Sequence, residues 1–356
     1  MPALSLEICG CPVVISTRSP RLFRLFADFF RYYNPQSYPS SEQITPLAGP
    51  QTALRIELKM RDQLPGREAL IPATAELFSQ TGVVSMWYEK TVETRGAAIR
   101  DPQSAVPVSG GRFYFHMDVA AFRLDVASGN ATGLVSPQAM EYPHILANTY
   151  TLFALLLLLR SRQLYHLHAA AIVSPEDELW LVCGAQRAGK TTLTTALGLA
   201  GWRPVSDDSL LVGKDKLSAW LTPLKKYFHI GDELLSRWPA LNRIRRHHQY
   251  LDRTCAGGLE FFKTRELAET KFRKIDHIVL PQIVNERTSR TEAVPPSEAV
   301  LRLAEQSMYF QLWRTHTANQ WQWLNELAAG AQCHRLLSGA DFLDDPHVAA
   351  ECLSDS

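Results

Sequence analysis

The sequence predicts an α/β chain: a strand–glycine loop–helix core preceded by a mostly β (α+β) amino-terminal part. Three observations predict it. Gly184-Ala185-Gln186-Arg187-Ala188-Gly189-Lys190-Thr191 fits the pattern G-x-x-x-x-G-K-[ST]. The apolar run Leu179-Trp180-Leu181-Val182-Cys183 precedes it as a buried strand should, and Thr192 to Leu197 continues as a helix. Before residue 135, polar and apolar residues alternate in several short segments, the period of half-buried strands.

In chain order, Pro20 to Tyr33 carries Leu22, Phe23, Leu25, Phe26, Phe29 and Phe30 on a broad apolar face and predicts a helix. Residues 34–51 are rich in Pro and Ser and predict a loop. Leu54–Met60, Val83–Val92 and Gly111–Leu124 predict strands, and Asn130-Ala131-Thr132-Gly133 predicts the turn of a hairpin spanning Phe122 to Leu134. Leu152 to Leu159 is the longest apolar run, far short of a membrane span, and predicts a buried helix. The expected division is an amino-terminal part of unassigned role (1–138), a P-loop catalytic domain (139–345) and a tail (346–356).

The glycine motif has a physical reading. Gly184 and Gly189 permit backbone turns closed to other residues, so the amides of Gly184, Ala185, Gln186, Arg187, Ala188, Gly189, Lys190, Thr191 and Thr192 can gather around phosphate. Lys190 supplies a charge near the β- and γ-phosphates, and the Thr191 hydroxyl suits Mg²⁺. ATP and Mg²⁺ are the cofactors expected. Just beyond the helix, Gly201 to Ser206 leads into Asp207-Asp208, followed by the apolar strand Ser209 to Val212. Neighbouring residues on a strand face opposite ways, yet at a strand end both carboxylates can approach one site. One can then hold metal while the other takes a proton from a hydroxyl. Upstream, Leu167-His168-Ala169-Ala170-Ala171-Ile172-Val173 predicts a further strand, whose His168 can tune a carboxylate; spacing does not separate it from His166.

Three segments in order, Leu167 to Ala170, Gly184 to Thr192 and Gly201 to Asp208, resemble the HPr kinase/phosphorylase superfamily, a P-loop kinase core of HPr kinase/PEP carboxykinase type. Phe272 to Pro281 resembles a late strand of its kinase-like members, and the resemblance spans about residues 150–345. It implies phosphoryl transfer from ATP to a hydroxyl, in that family usually a serine of a peptide or protein. It also implies Asp207 as general base, Asp208 and Thr191 as metal ligands, Lys190 on the phosphates and His168 tuning Asp207. Two departures stand out. Gln186 and Arg187 replace the serine and glycines of the bacterial HPr kinase loop, and Leu221 to His229 stands where a Glu-Val-Arg-Gly-Leu-Gly segment is expected. The chain thus resembles the divergent HPr-kinase-related proteins more than the sugar regulator. Lys225 and Lys226, in that replaced stretch, are either phosphate contacts or a solvated pair.

Composition narrows the partners. With 356 residues and 46% hydrophobic content, the chain can bury a large core. A net charge of +1 gives no pull toward nucleic acid. None of the six cysteines has zinc spacing, which fits a reducing compartment. Met1 to Val14 lacks the pattern of a secretory leader, so a soluble, cytoplasmic protein without a membrane partner is expected. Arg243 to His248 is a basic cluster, Gly257-Gly258 a hinge candidate, Ile275 to Leu280 a strand and Ser297 to Phe310 a helix. Trp313, Trp321 and Trp323 are expected in packing. The expected acceptor is a peptide, a protein or a small hydroxylated molecule, and a homo-oligomer is compatible with the resemblance. Two alternatives stay open, a P-loop ATPase and a nucleotide-binding regulatory subunit without an acceptor. Asn-Lys-x-Asp, the guanine-reading motif, is absent.

Overall fold

A computed structural model describes residues 1–30, 53–80, 84–89, 111–224, 227–246, 249–250, 253–257 and 271–354. The chain is mixed α/β with several sheets. It divides into two compact units, Met1–Gln163 with Gln311–His316, and Leu164–Phe310 with Thr317–Ser356. The division falls after Gln163, where the sequence places a boundary at 138/139. The reason is the Leu152–Arg160 helix, whose residues are nearly all buried and whose Arg160 guanidinium donates from Nε (3.2 Å) and Nη2 (2.8 Å) to the Leu312 carbonyl, also in the first unit. The expected tail is likewise not separate: the His347–Ser354 helix buries Ala349 and Leu353 in the second unit's core.

The first unit is built on an eight-stranded sheet. Its strands are β1 (Ala3–Ile8), β2 (Cys11–Thr17), β3 (Leu54–Met60), β4 (Glu76–Gln80), β5 (Ser85–Glu89), β6 (Arg112–Met117), β7 (Ala120–Asp125) and β8 (Asn130–Val135), in the order β1-β2-β3-β8-β7-β6-β5-β4. A helix, Pro20–Phe29, opens with Ser19 capping the Leu22 amide and Pro20 in its first turn, and buries Leu22 and Phe26. Two expectations are corrected. Gly111–Leu124 is not one strand, because the chain reverses between Met117 and Ala120. Nor does Asn130–Gly133 form a turn. It lies inside β8, and the chain turns earlier, at Gly129 with φ +70°. Gly133 is demanded instead by close packing, since a Cβ there would stand 2.7 Å from Phe122 and Leu58 side-chain carbons. The expected loop 34–51 and the ends of the expected 20–33 helix and Val83–Val92 strand lie outside the described residues.

In the second unit, β9 (Tyr165–Leu167), β10 (Ala170–Val173), β11 (Leu179–Val182), β12 (Arg203–Ser206), β13 (Leu210–Lys214), β14 (Ala219–Pro223), β15 (Tyr227–Gly231), β16 (Gln249–Tyr250), β17 (Arg253–Gly257), β18 (His277–Ile283), β19 (Arg290–Ala293) and β20 (Gln332–Ser338) form three sheets. The largest has the order β12-β10-β11-β18-β20-β19; the others run β14-β13-β9 and β15-β17-β16. The expected strand Leu167–Val173 is broken at His168-Ala169, so β9 and β10 join different sheets. Both faces of the six-stranded sheet are covered, as its near-continuous apolar strands require. One face packs Ala171, Leu181 and Ile278 with the Pro296–Glu305 helix and Trp323. The other packs Ile172, Val182 and Val279 against Leu193, Ala196 and Leu197 of the Lys190–Leu199 helix. The expected helix Ser297–Phe310 ends at Glu305. Trp313 and Trp323 are buried, while Trp321 is half-exposed. Arg243–Arg246 lies on a 3₁₀ helix, and His247, His248, Gly258, Lys225 and Lys226 lie outside the described residues. Among the described residues no helix is long and apolar enough to cross a membrane.

Within this sheet, His277 and His334 are buried side by side, Nδ1 of one 3.2 Å from Nε2 of the other. Trp180 stacks on His277 at 3.7 Å between ring centroids. His277 Nε2 stands 3.3 Å from the Glu178 carboxylate, which fixes the direction of the relay: His277 donates to Glu178 and accepts from His334. Burial holds both imidazoles below the ordinary histidine range. For His334 the neighbouring imidazole adds to that effect, while Glu178 and Asp276 oppose it at His277 and Lys274 reinforces it. A histidine with a depressed pKa contributes stability above its unfolded value of about 6.5, and that stability is lost as pH falls through the folded value. The melting temperature should therefore drop between pH 7.5 and pH 5, before the carboxylates titrate, and His334→Gln should flatten the drop. A pH-independent melting temperature over that interval would contradict the assignment.

Candidate functional site at one edge of the central sheet

Strand register brings the sequence motifs together. β10 pairs antiparallel with β11 on one side, Ala170 opposite Val182, and with β12 on the other, Ala171 opposite Ser206. β11 and β12 therefore run the same way and end at the same sheet edge. Residues 183–189 leave from the first and Asp207-Asp208 from the second, with His168 entering β10 between them. Neighbouring strands lie about 4.8 Å apart, so the two strand ends are separated by roughly 10 Å, about the span of a triphosphate.

The loop from β11 to the Lys190–Leu199 helix is shaped by its ends. Gly184 is buried, and a Cβ there would meet Ala188 Cβ at 3.1 Å. Gly189 caps the helix at φ +97°, a conformation closed to most side chains, and Arg187 also has a left-handed φ of +66°. Ala185, Gln186 and Arg187 are exposed; Ala188, Gly189, Thr191 and Thr192 are half-buried. No side chain caps the helix and its first turn holds no acid, so its amides and dipole favour an anion. Lys190 is buried, and its ammonium donates to the carbonyls of Gly184 (2.7 Å) and Ala185 (3.1 Å), tying the helix start to the loop start. Burial pulls its pKa down; Cys183, Asp207 and Asp208 push it back up, which places both carboxylates within electrostatic reach of the ammonium. The Cys183 thiol, beneath the loop, is pushed up to about 12 by burial and is inert.

The acid pair sits on a bracketed turn. Ser206 Oγ donates to the Ser209 carbonyl at 2.9 Å and accepts the Ser209 amide at 3.3 Å, closing the chain around Asp207 and Asp208. His166 Nε2 lies 2.8 Å from Ser209 Oγ and anchors the bracket to β9. Asp207 is 1% exposed, and its Oδ2 accepts the His229 amide of β15 at 3.1 Å. Asp208 is half-buried. His168 Nδ1 is 2.9 Å from the Asp208 carbonyl. A carbonyl only accepts, so Nδ1 carries the proton and Nε2 of the neutral ring is an acceptor. The His168 amide donates to the Gln306 carbonyl at 2.8 Å, which seats the residue in the break between β9 and β10.

The structure thus brings Gly184 to Thr192, Lys190, Asp207, Asp208 and His168 to one edge. The bracket of Ser206, Ser209 and His166 and the His229 amide were missed. Ser-Asp-Asp-Ser carried a signal, since serines flanking a turn bond its backbone; the His229 amide carried none. Among the described residues no group of three or more His, Cys, Asp or Glu could hold a metal unaided. One carboxylate, a hydroxyl and phosphate oxygens are nevertheless the set that suits Mg²⁺, which keeps much of its water.

No protein-family model matches the chain, and no curated protein matches it in sequence. Among solved structures, the Hpr(Ser) kinase/phosphatase from Coxiella burnetii is similar to it over 53% of this chain and 94% of that one, at 11% identity and a TM-score of 0.26. A likeness of that size carries no argument about what this chain does.

Removing the bracket tests whether it holds the acids. Ser206→Ala should cost about 1 kcal/mol of unfolding free energy in a denaturant titration. No measurable loss would show the turn to be held by other contacts.

Proposed function

We propose that the chain is an ATP-dependent kinase that transfers a γ-phosphoryl group to a hydroxyl with Mg²⁺, most consistently a serine of a peptide or protein. The single observation behind this reading is the antiparallel register on both sides of β10, which sends the glycine loop and Asp207-Asp208 out at one sheet edge. The cradle fits a triphosphate: uncapped helix amides, a glycine at φ +97° and a lysine aimed at the loop.

The chain's own groups have distinct parts in this reading. The loop amides and the Lys190–Leu199 helix start bind phosphate oxygens. On binding, Lys190 exchanges its contacts with the Gly184 and Ala185 carbonyls for phosphate oxygens. Asp208, the more exposed acid, and the Thr191 hydroxyl would hold Mg²⁺, which supplies charge neutralisation on the phosphates. Asp207 takes the acceptor's proton, and its Oδ2 is oriented by the His229 amide. His168 fixes the turn through the Asp208 carbonyl and is thus a positioning residue. Little covalent work falls to the protein beyond placement and charge.

The test is transfer of labelled γ-phosphate to candidate hydroxyl acceptors, beside release of free phosphate. Lys190→Ala should abolish ATP binding and transfer together. Asp207→Asn should keep ATP affinity within about twofold and lower transfer at least 100-fold, the usual scale of a lost general base. Undiminished transfer by Asp207→Asn would remove Asp207 from the chemistry. Phosphate release that ignores every acceptor would favour an ATPase.

A further inference from the structure

The strand beside the glycine loop does not stop where the loop begins. β11 ends at Val182, paired with Val279 of β18. β18 runs on for four more residues, Leu280 to Ile283, paired with Arg335 to Ser338 of β20. This overhang lies along the loop. Pro281 Cδ would be 3.6 Å from a Cβ on Gly184, and Ile283 Cγ1 3.8 Å from one on Gly189. Pro281 and Ile283 share a strand face, so one meets the loop's first glycine and the other its last. Pro281 is buried, whereas Ile283 is 66% exposed.

The sheet order gives that exposed side chain a direction. In β12-β10-β11-β18 the loop leaves β11, the acid pair leaves β12 two strands to one side, and Ile283 ends β18 one strand to the other. A phosphate tail lying in the loop with its reacting end toward Asp207 and Asp208 must direct its nucleoside end away from them. That is the side on which Ile283 stands. A flat, apolar base is the part of a nucleotide whose surface gains from contact with an aliphatic side chain.

We infer that Ile283 is the wall for the nucleobase, adenine in ATP, and discriminates a nucleotide from a bare polyphosphate. The inference rests on the phosphate-binding reading of the glycine loop. Binding of ATP and of inorganic tripolyphosphate to the full chain separates the two. The parent chain should bind both, ATP more tightly. Ile283→Ser, which removes the apolar contact without adding charge beside the loop, should weaken ATP about fivefold or more, on the order of one lost apolar contact, and leave tripolyphosphate affinity unchanged. Ile283→Leu should restore ATP affinity. Equal ATP affinity in Ile283→Ser and the parent would overturn the inference while leaving the phosphate site standing. Equal weakening of both ligands would also overturn it, by showing that Ile283 acts through the loop. Binding of neither ligand by the parent would remove the phosphate site and the inference with it.

Discussion

The arrangement depends on one constraint: β10 is a short strand gripped antiparallel on both sides. Because β11 and β12 each pair with it in that sense, they run parallel to one another, joined by the Lys190–Leu199 helix, which crosses over β10. Their carboxyl ends open at one edge, where backbone leaves the hydrogen-bonded ladder and amides become available. In open α/β sheets that edge is where ligands gather. Ala169, Ala170 and Ala171 at the start of β10 are fully buried, and small side chains there let the neighbouring strands and both covering layers close over it. A large residue at Ala170 would overpack the face covered by the Lys190–Leu199 helix, and one at Ala171 the opposite face.

Charge at this edge is arranged around burial. The Lys190 ammonium sits in the protein with only main-chain oxygens at hydrogen-bond distance in the contacts described above, and two carboxylates are near enough to sustain it. A ligand bringing several negative charges is the natural relief for a cation whose burial works against it. The same logic separates the acids. Asp207, almost wholly buried and fixed by a main-chain amide, is held still; Asp208, partly open, is placed to meet what arrives from solvent.

The sequence made part of this legible. The glycine loop, its strand and its helix appear within two residues of their expected bounds, because glycine spacing and a short apolar run are local signals. The acid pair was visible as a turn between two strands. Its distance from the loop was not, since it depends on strand pairing between segments far apart in the chain, and pairing order is not written in any one segment. The break at His168-Ala169 was hidden for a related reason: apart from His168, Leu167 to Val173 is apolar throughout, and nothing in its pattern says that two sheets share it. In the first unit, Asn130 and Gly133 resembled turn residues, yet Gly133 is a strand residue whose missing side chain admits Phe122. The likeness to the HPr kinase/phosphorylase superfamily rests on three short segments, and the structural comparison at a TM-score of 0.26 adds nothing to it.

The most direct measurement replaces Mg²⁺ with Mn²⁺ and follows its binding by electron paramagnetic resonance, with and without ATP. Tight Mn²⁺ binding that appears only with ATP, and is weakened in Asp208→Ala while metal-free ATP affinity is kept, is the result expected if loop and acid pair serve one ligand. Mn²⁺·ATP binding equally tight in Asp208→Ala and the parent would separate the acids from the nucleotide and contradict the account.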